Sequence, residues 1–473
     1  MTTFDNALPE LLAVCASTPG FGAAGTKTCV LRDLKGRLRI AVDLGKTTIA
    51  FDVPTLTSAL ESALGGYFVA PLLCSNGPPE IRRLVTSIFE AAEPWPDAWP
   101  TGAVLASGSQ SIDRTRWWAV RKVLSKQAWL EPKVRANAPW PLIPNARTAP
   151  PVIVSFYSYK GGVGRTTLLG LVARALAKQS KRVVVVDLDL EAPGAAIFLG
   201  GNTPSGRGVI DFIVDHVVTG KARIDGLYGR AAAMKNGLDT NVDVFPAGSV
   251  NATYLEKLGR LDFVSASADG TKPSPSEAAL RTLLKVINAE LKPDYILLDA
   301  RAGLHDLGGL SLHALSHIDV LVARGGPQSM EGLRITALSL ARLRDPNDRR
   351  IVLVHSLVPS DRAVADKERS AFQDEAYEIF EATIYADAAR AVQDESESDD
   401  TDSKPAGEVV DDEEPELPSY EDDQAAHFAW PVKRYTEFET ARSIGDVDDA
   451  FADTEEIRAI VDRIAALAAA EEA

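Results

Sequence analysis

One stretch, Val152 to Leu190, limits what this chain can fold into more than any other. Val152-Ile153-Val154-Ser155-Phe156 is an apolar, β-branched run of the kind that makes a buried parallel strand. Lys160-Gly161-Gly162-Val163-Gly164-Arg165-Thr166-Thr167 follows, and Leu168 to Lys178 then sets Leu169, Val172, Ala173 and Leu176 on one helical face. A second apolar run, Val183 to Val186, ends in Asp187-Leu188-Asp189. Strand, glycine loop, helix, and a strand tipped with carboxylates is a βαβ unit built to hold a phosphate. Glycines let successive backbone N–H groups turn inward as a nest, and the helix that follows offers unpaired N–H groups and a positive dipole end. Thr166 stands where a hydroxyl ligates Mg2+. Arg165 takes the place of the phosphate-touching Lys of the GxxxxGK[ST] pattern, and Tyr159 the place of its first Gly.

KGGVGRTT resembles the deviant Walker A loop of the ParA/MinD family of ATPases, in its variant with Arg in place of the second Lys. The family's strand-tip carboxylates match Asp187 and Asp189. Its second acidic strand matches Asp294 to Asp299, followed by Ala300-Arg301-Ala302-Gly303, where Arg301 replaces the more usual Pro of DxPxG. The resemblance covers roughly Pro150 to Asp345 and none of the first 145 residues. It implies an ATP- and Mg2+-binding site formed by Lys160, Gly161, Gly162, Val163, Gly164, Arg165, Thr166 and Thr167. In that site Thr166 ligates the metal directly, while Asp187 and Asp299 hold it through its water shell. Asp189 orients the attacking water, Arg165 binds its own subunit's β- and γ-phosphates, and Lys160 reaches a partner's phosphates across a homodimer. Phosphoryl transfer asks for positioning and charge neutralisation more than covalent help, so these roles imply an ATPase, and Arg165 in place of Lys, a planar fork instead of a point charge, implies a slow one.

Strands alternating with helices from Val152 onward predict an α/β fold with a doubly wound, mostly parallel sheet, its ligand at the carboxyl ends of the strands. Strands are expected at Val242–Phe245, Tyr295–Leu298, Ile318–Ala323 and Ile351–Val354. Helices are expected from Val209, over Ser274–Leu291 with Ser274 or Ser276 as N-cap, over Met330–Leu343, and over Phe372–Ala391. Phe428 to Val432 reads as an edge strand, since Pro431 cannot donate to a central ladder. A last helix starts near Thr454, with Asp453 and Glu456 spaced as a capping box and Ile457, Ile460, Val461, Ile464 and Leu467 as its apolar stripe. Its polar face is mainly acidic, which anionic lipid repels, so it is expected to pack on the sheet or on a dimer partner.

A smaller α/β domain is expected over residues 1–145, with 146–151 as linker, 152–393 and 426–473 as the ATPase domain, and 394–425 as an acidic insertion too charged to bury. Asp33 to Gly36 predicts a hairpin turn, Val53–Leu64 and Glu80–Ala92 helices, and Phe68–Leu73 and Ala103–Ala106 short strands. Net charge is −16, but fifteen acids and one base, Lys404, lie between Asp394 and Asp423, and the first 150 residues carry sixteen bases against twelve acids. Global acidity therefore argues little against a polyanionic partner.

Six of the seven tryptophans lie between Trp95 and Trp140, where Arg114, Arg116, Arg121, Lys122, Lys126, Lys133 and Arg135 interleave with Trp117, Trp118 and Trp129. Two readings of 114–135 stand. One is an amphipathic helix, Asp113 to Ala128, with Trp117, Val120 and Leu124 in the core. The other is a surface for nucleic acid or an acidic partner, with the chain's own acidic tract as a partner in cis. No apolar run reaches the ~18–20 residues of a membrane span, no basic n-region opens the sequence, and the three cysteines lack metal spacing, which together predict a cytoplasmic protein with reduced thiols.

Three functions fit these residues. One is a nucleotide-switched dimer whose N-terminal domain engages an unknown protein partner. Another is a partition-type ATPase that coats DNA when ATP-bound. The third is a non-hydrolysing regulator or scaffold of a bacterial signalling or defence operon. A related tyrosine kinase is disfavoured, because the chain has neither a membrane span nor a C-terminal tyrosine cluster.

Overall fold

The computed structural model describes residues 2–46, 51–96, 99–100, 102–105, 108–130, 138–143, 149–237, 241–265, 272–346, 349–388 and 417–470. The acidic tract through residue 416, residues 146–148 of the linker, and Lys133 and Arg135 lie outside them. The chain divides into two compact units, 1–125 with 264–273, and 126–263 with 274–473.

In the first unit, α1 (Phe4–Ser17) precedes β1 (Lys27–Arg32) and β2 (Leu38–Asp43), an antiparallel hairpin. The expected turn closes it: Asp33 Oδ1 accepts from Lys35 N and Arg37 N, both at 2.9 Å. After β2 come α2 (Val53–Leu64), β3 (Leu73–Cys74), α3 (Pro79–Glu90), β4 (Glu93–Pro94), a separate hairpin β5–β6 (Gly102–Leu105, Gly108–Ser111), and β7 (Trp117–Arg121). The sheet runs β3-β2-β1-β7-β4. Its pleat sends Val30, Ile40 and Ala119 to one face with α1 and α2, and Cys29, Ala41 and Val120 to the other with α3. All three cysteines are buried free thiols.

The helix expected over Asp113–Ala128 does not form. A short turn at Arg114–Arg116 leads into β7, and a four-residue helix, α4 (Gln127–Leu130), comes only after Ser125. Trp117 and Val120 fit a helical spacing, but they also alternate with Trp118 and Ala119, and aromatic and β-branched residues suit a pleated surface better. Parallel pairing with β1 decides it: Trp117 packs against Trp95, Trp118 against Phe89 on the opposite face, and Leu124 is exposed. Several cations of this segment serve internal contacts. Arg116 Nη2 donates to Gly22 O at 2.6 Å, Arg121 pairs with Glu93 at 2.6 Å, and Lys126 Nζ lies 3.3 Å from Asp306. Trp117 and Trp118 face opposite sides of the sheet.

The second unit holds the doubly wound sheet. In chain order it contains β8 (Val152–Tyr157), α5 (Arg165–Lys178), β9 (Val183–Asp187), α6 (Ala195–Leu199), α7 (Val209–Thr219), β10 (Gly229–Arg230), β11 (Val242–Phe245) and α8 (Ala252–Leu258). Then follow α9 (Pro275–Leu291), β12 (Tyr295–Asp299), α10 (Asp306–Leu310), β13 (Ile318–Ala323), α11 (Pro327–Leu343), β14 (Ile351–Val358), α12 (Arg362–Phe380) and β15 (Ala429–Lys433). The order is β10-β11-β9-β12-β8-β13-β14-β15, parallel throughout except for β10. Alternate residues of each strand face two helical layers. Val154, Val185, Leu297 and Val320 meet α5, α6 and the last helix, Glu455–Ala469. Ile153, Val184 and Ile296 meet α7, α9 and α10, while Leu321 and Leu353 meet α11 and α12.

Local signals explain the boundaries. Ser274 caps α9, its side chain accepting from Glu277 N. β15 is an edge strand, as Pro431 requires. The helix expected to start at Phe372 begins at Arg362, capped by Asp361, and widens into a π turn after Phe380. The run at Phe68–Leu73 pairs only near its ends, through a bridge at Phe68 and at Leu73. The Asp453/Glu456 capping box does not form. Thr454 is the N-cap without a side-chain bond, Asp453 pairs with Lys178, and Glu456 accepts from Tyr435 Oη at 2.7 Å and lies 3.0 Å from Lys433. Each carboxylate has found a cation or hydroxyl that the box could not match. Among the described residues no helix is long and apolar enough to cross a membrane.

Candidate functional site

The loop after β8 and the ends of β9 and β12 converge because these strands are neighbours in register. Asp299 pairs with Phe156 on one side and Asp187 on the other. Gly162 and Gly164 hold φ of 74° and 81°, and Gly164 is the N-cap of α5. Only glycine adopts these angles without strain, and a Cβ on Gly161 or Gly162 would meet nothing within 4 Å, so the loop's inner face is open to a ligand. Lys160 is exposed at its start, Val163 is buried beneath it, and Thr166 and Thr167 lie in the first turn of α5. Tyr159, in the place of a glycine, packs on α11 at Gly332, where a Cβ would stand 2.1 Å from its Cγ.

Three carboxylates and two guanidiniums meet at the strand tips. Arg165, although the first residue of the helix, turns to them: its Nε donates to Asp299 Oδ1 at 2.6 Å and its Nη2 to Asp189 Oδ2 at 3.1 Å. Thr166 Oγ1 donates to Asp299 Oδ2 at 2.8 Å. Asp187 accepts from the backbone N–H groups of Asp189, Gly194 and Ala195 at 3.1–3.2 Å. Arg301 Nη1 donates to Asp189 Oδ1 at 2.6 Å.

Burial governs the electrostatics. It pushes Asp187 up to about 8, helped by the charges of Asp299 and Asp189 and opposed by the backbone donors. Burial also raises Asp299, although Arg165 and Thr166 oppose it. Burial alone would lower Arg165, but Asp299 and Asp189 outweigh it and the guanidinium stays charged. Asp187 and Asp299 are two buried carboxylates whose ionised form a nearby divalent cation would favour. Among the described residues no three His, Cys, Asp or Glu side chains enclose a metal by themselves. Mg2+ keeps several waters and shares substrate phosphates, and Thr166, Asp187 and Asp299 are the groups that could hold it.

Beside the loop lies a cavity of about 440 Å3, walled by Val163, Thr167, Leu357, Val432, Tyr435 and Phe438. It is half apolar and opens directly on the glycine turn, the shape a nucleoside needs next to a phosphate cradle. A larger cleft of about 890 Å3 opens at the amino ends of β8 and β12, away from all these groups.

Every residue that the sequence marked for the nucleotide site falls at this one end of the second unit's sheet. Sequence reasoning missed Arg165's turn toward the carboxylates, the wall at Tyr435 and Phe438, and the roles of Glu191 and His305. One signal was available for the last two: both follow the acidic strand tips by a few residues, on loops leaving adjacent strands.

Residues 152–346 match the family model of an AAA domain. The carbon monoxide dehydrogenase accessory protein CooC of Rhodospirillum rubrum is 27% identical over 180 residues, 38% of this chain and 66% of that protein. The septum site-determining protein MinD of Buchnera aphidicola is 30% identical over 152 residues, 32% of this chain and 45% of that protein. The chain thus spans about half to two thirds of the length of these curated relatives. Among solved structures, MinD of Pyrococcus horikoshii complexed with Mg-ADP is 16% identical, with a TM-score of 0.38 over 66% of this chain and 94% of that one.

Proposed function

We propose that this chain, whose residues 152–346 are a P-loop NTPase domain of the ParA/MinD type, binds ATP with Mg2+ and hydrolyses it slowly, as a switch for homodimerisation. The observation that carries this reading is the meeting of Arg165, Thr166, Asp187, Asp189 and Asp299 beside a glycine nest.

The backbone N–H groups of Gly161 to Gly164 and the start of α5 bind the phosphates, and Thr167 with the Tyr435–Phe438 wall holds the nucleoside. Mg2+, when bound, neutralises phosphate charge, with Thr166 as its direct ligand and Asp187 and Asp299 ordering its waters. A triphosphate competes with Asp299 and Asp189 for Arg165, so nucleotide entry draws the guanidinium off the carboxylates. Arg forms a planar fork, so it grips either partner in two-pronged fashion. Once Arg165 has left, Asp189 Oδ2 is free to accept from the attacking water. Lys160, exposed at the loop, supplies charge to a second copy's phosphates. The N-terminal unit is assigned to partner engagement.

Phosphate release and oligomeric state of wild type, Lys160→Ala and Asp189→Ala test this. We expect slow turnover in the wild type, none in either variant, and an ATP-bound dimer that persists in Asp189→Ala. A protein that takes up no nucleotide in the presence of Mg2+ refutes the reading. Turnover without any change of oligomeric state refutes the switch.

A further inference from the structure

Arg301, Glu191 and His305 form a chain of contacts outward from Asp189. Arg301 Nη1 reaches Asp189 Oδ1 at 2.6 Å, and its Nη2 reaches Glu191 Oε2 at 3.2 Å. Glu191 Oε1 lies 2.6 Å from His305 Nε2. His305 Nδ1 accepts from Leu307 N, which leaves the proton on Nε2 and makes His305 the donor to Glu191. The base of the same loop is tied down by Trp129, whose Nε1–H donates to His305 O at 2.7 Å. Solvent access peaks at Glu191, 41% exposed, and is lower at His305 on one side, 20%, and at Arg301 and Asp189 on the other, 24% and 10%.

The two oxygens of Asp189 are treated differently. Oδ1 accepts from Arg301 and from Ala192 N at 3.2 Å, whereas Oδ2 accepts from Arg165. Arg165 is the contact that a triphosphate withdraws. Arg301 and Ala192 N remain, fixing the carboxylate's rotation while Oδ2 becomes available. A carboxylate held on one oxygen presents the other in a set direction. One left unheld rotates and loses the near-attack geometry of its water.

We infer that Arg301 is the positioning residue for Asp189, and that Glu191, oriented by His305, holds Arg301 in place. This rests on the ATPase reading and adds to it residues outside the glycine loop and outside the set that fits the metal. Lys at this position, or Gln at 191, keeps the size but loses the two-point geometry.

The test is steady-state ATP hydrolysis, with ATP affinity measured separately, for Arg301→Met, Arg301→Lys, Glu191→Gln, the Arg301→Met/Glu191→Gln double variant and Asp189→Ala. Arg301→Met should lower kcat about ten- to a hundredfold with KM within about threefold, the signature of a contact that matters in the transition state. Glu191→Gln should lose less in the same direction, Arg301→Lys should recover part, and the double variant should be no worse than Arg301→Met. Glu191 is half-exposed, so its variant decides the matter if Arg301→Met does not fold. Wild-type kcat in Arg301→Met or Glu191→Gln beside an inactive Asp189→Ala overturns the inference alone. So does a raised KM at unchanged kcat. A wild type that hydrolyses no faster than Asp189→Ala overturns the ATPase reading and this inference with it.

Discussion

Arg165→Ala should unfold the second unit more readily than any surface change, for a reason specific to its surroundings. The side chain is 9% exposed, Asp299 beside it 1% and Asp189 10%. Removing the guanidinium leaves Asp187, Asp189 and Asp299 facing one another with only Arg301 to compensate, and that at Asp189 alone. Breaking a buried pair from one side costs about 3–5 kcal/mol, because the surviving charge stays desolvated. The penalty must also depend on pH. Asp299 already sits above the ordinary carboxylate range through burial, and Arg165 is the main group holding it down. In the variant Asp299 keeps its proton to higher pH than in the wild type, so the folded variant binds more protons and loses stability more steeply as pH rises. The deficit is therefore larger at pH 8 than at pH 5. Asp299→Asn added to Arg165→Ala should recover a large share of it, since the orphaned charge is gone. Denaturant-dependent hydrogen exchange of peptides from β8 and β12 reads the second unit by itself, which a global melt of a two-unit chain does not. A loss below about 1 kcal/mol, or one that is flat with pH, would show that Arg165 does not neutralise these carboxylates and would remove the basis for its exchange between carboxylate and phosphate.

Other tests follow from other contacts. Gly332→Ala drives a Cβ to 2.1 Å from Tyr159 Cγ. A loss of about 1–3 kcal/mol with weakened nucleotide binding is expected, largely restored by adding Tyr159→Ala, in thermal unfolding and nucleotide titration. Burial pushes His317 down to about 4 from 6.5; its Nδ1 accepts from Ile153 N at 2.9 Å and its Nε2 donates to Trp140 O at 2.8 Å. The unfolded chain takes a proton there that the folded chain refuses, so stability should fall as pH drops from about 6.5 through 4. His317→Gln should flatten that slope in denaturant titrations across the range. Asp187, held near 8, gives the opposite sign: the metal-free fold loses stability as pH rises from about 4 toward 8. Binding of Mg2+ and ATP should tighten over pH 6–8 with release of about one proton, measured by calorimetry in buffers of different ionisation heat, and Asp187→Asn should abolish the release.

Much of this architecture is legible in the residues themselves, and the reason is local. The βαβ unit from Val152 carries its own strand, turn, helix and strand signals within 40 residues, and Ser274 before Pro275 and Glu277 marks a helix start without reference to anything distant. What escaped the sequence depends on partners brought together by topology. Trp117–Arg121 satisfies both a helical and an alternating spacing, and pairing with β1, 89 residues earlier, selects the strand. Arg165 reads as a phosphate ligand because its neighbours in sequence form the loop, whereas Asp299 lies 134 residues away and reaches it only through the order β9-β12-β8. Glu191 and Arg301, 110 residues apart, meet for the same reason.

The placing of β15 has a further consequence. The wall formed by Val432, Tyr435 and Phe438 belongs to chain that lies beyond the acid-rich stretch, while the glycine turn belongs to chain before it. The same later chain supplies the last helix, whose Ile457, Ile460, Val461 and Ile464 are buried against Val154 and Val185, so a proteolytic nick in the acid-rich stretch should leave the two pieces associated and the cavity wall in place.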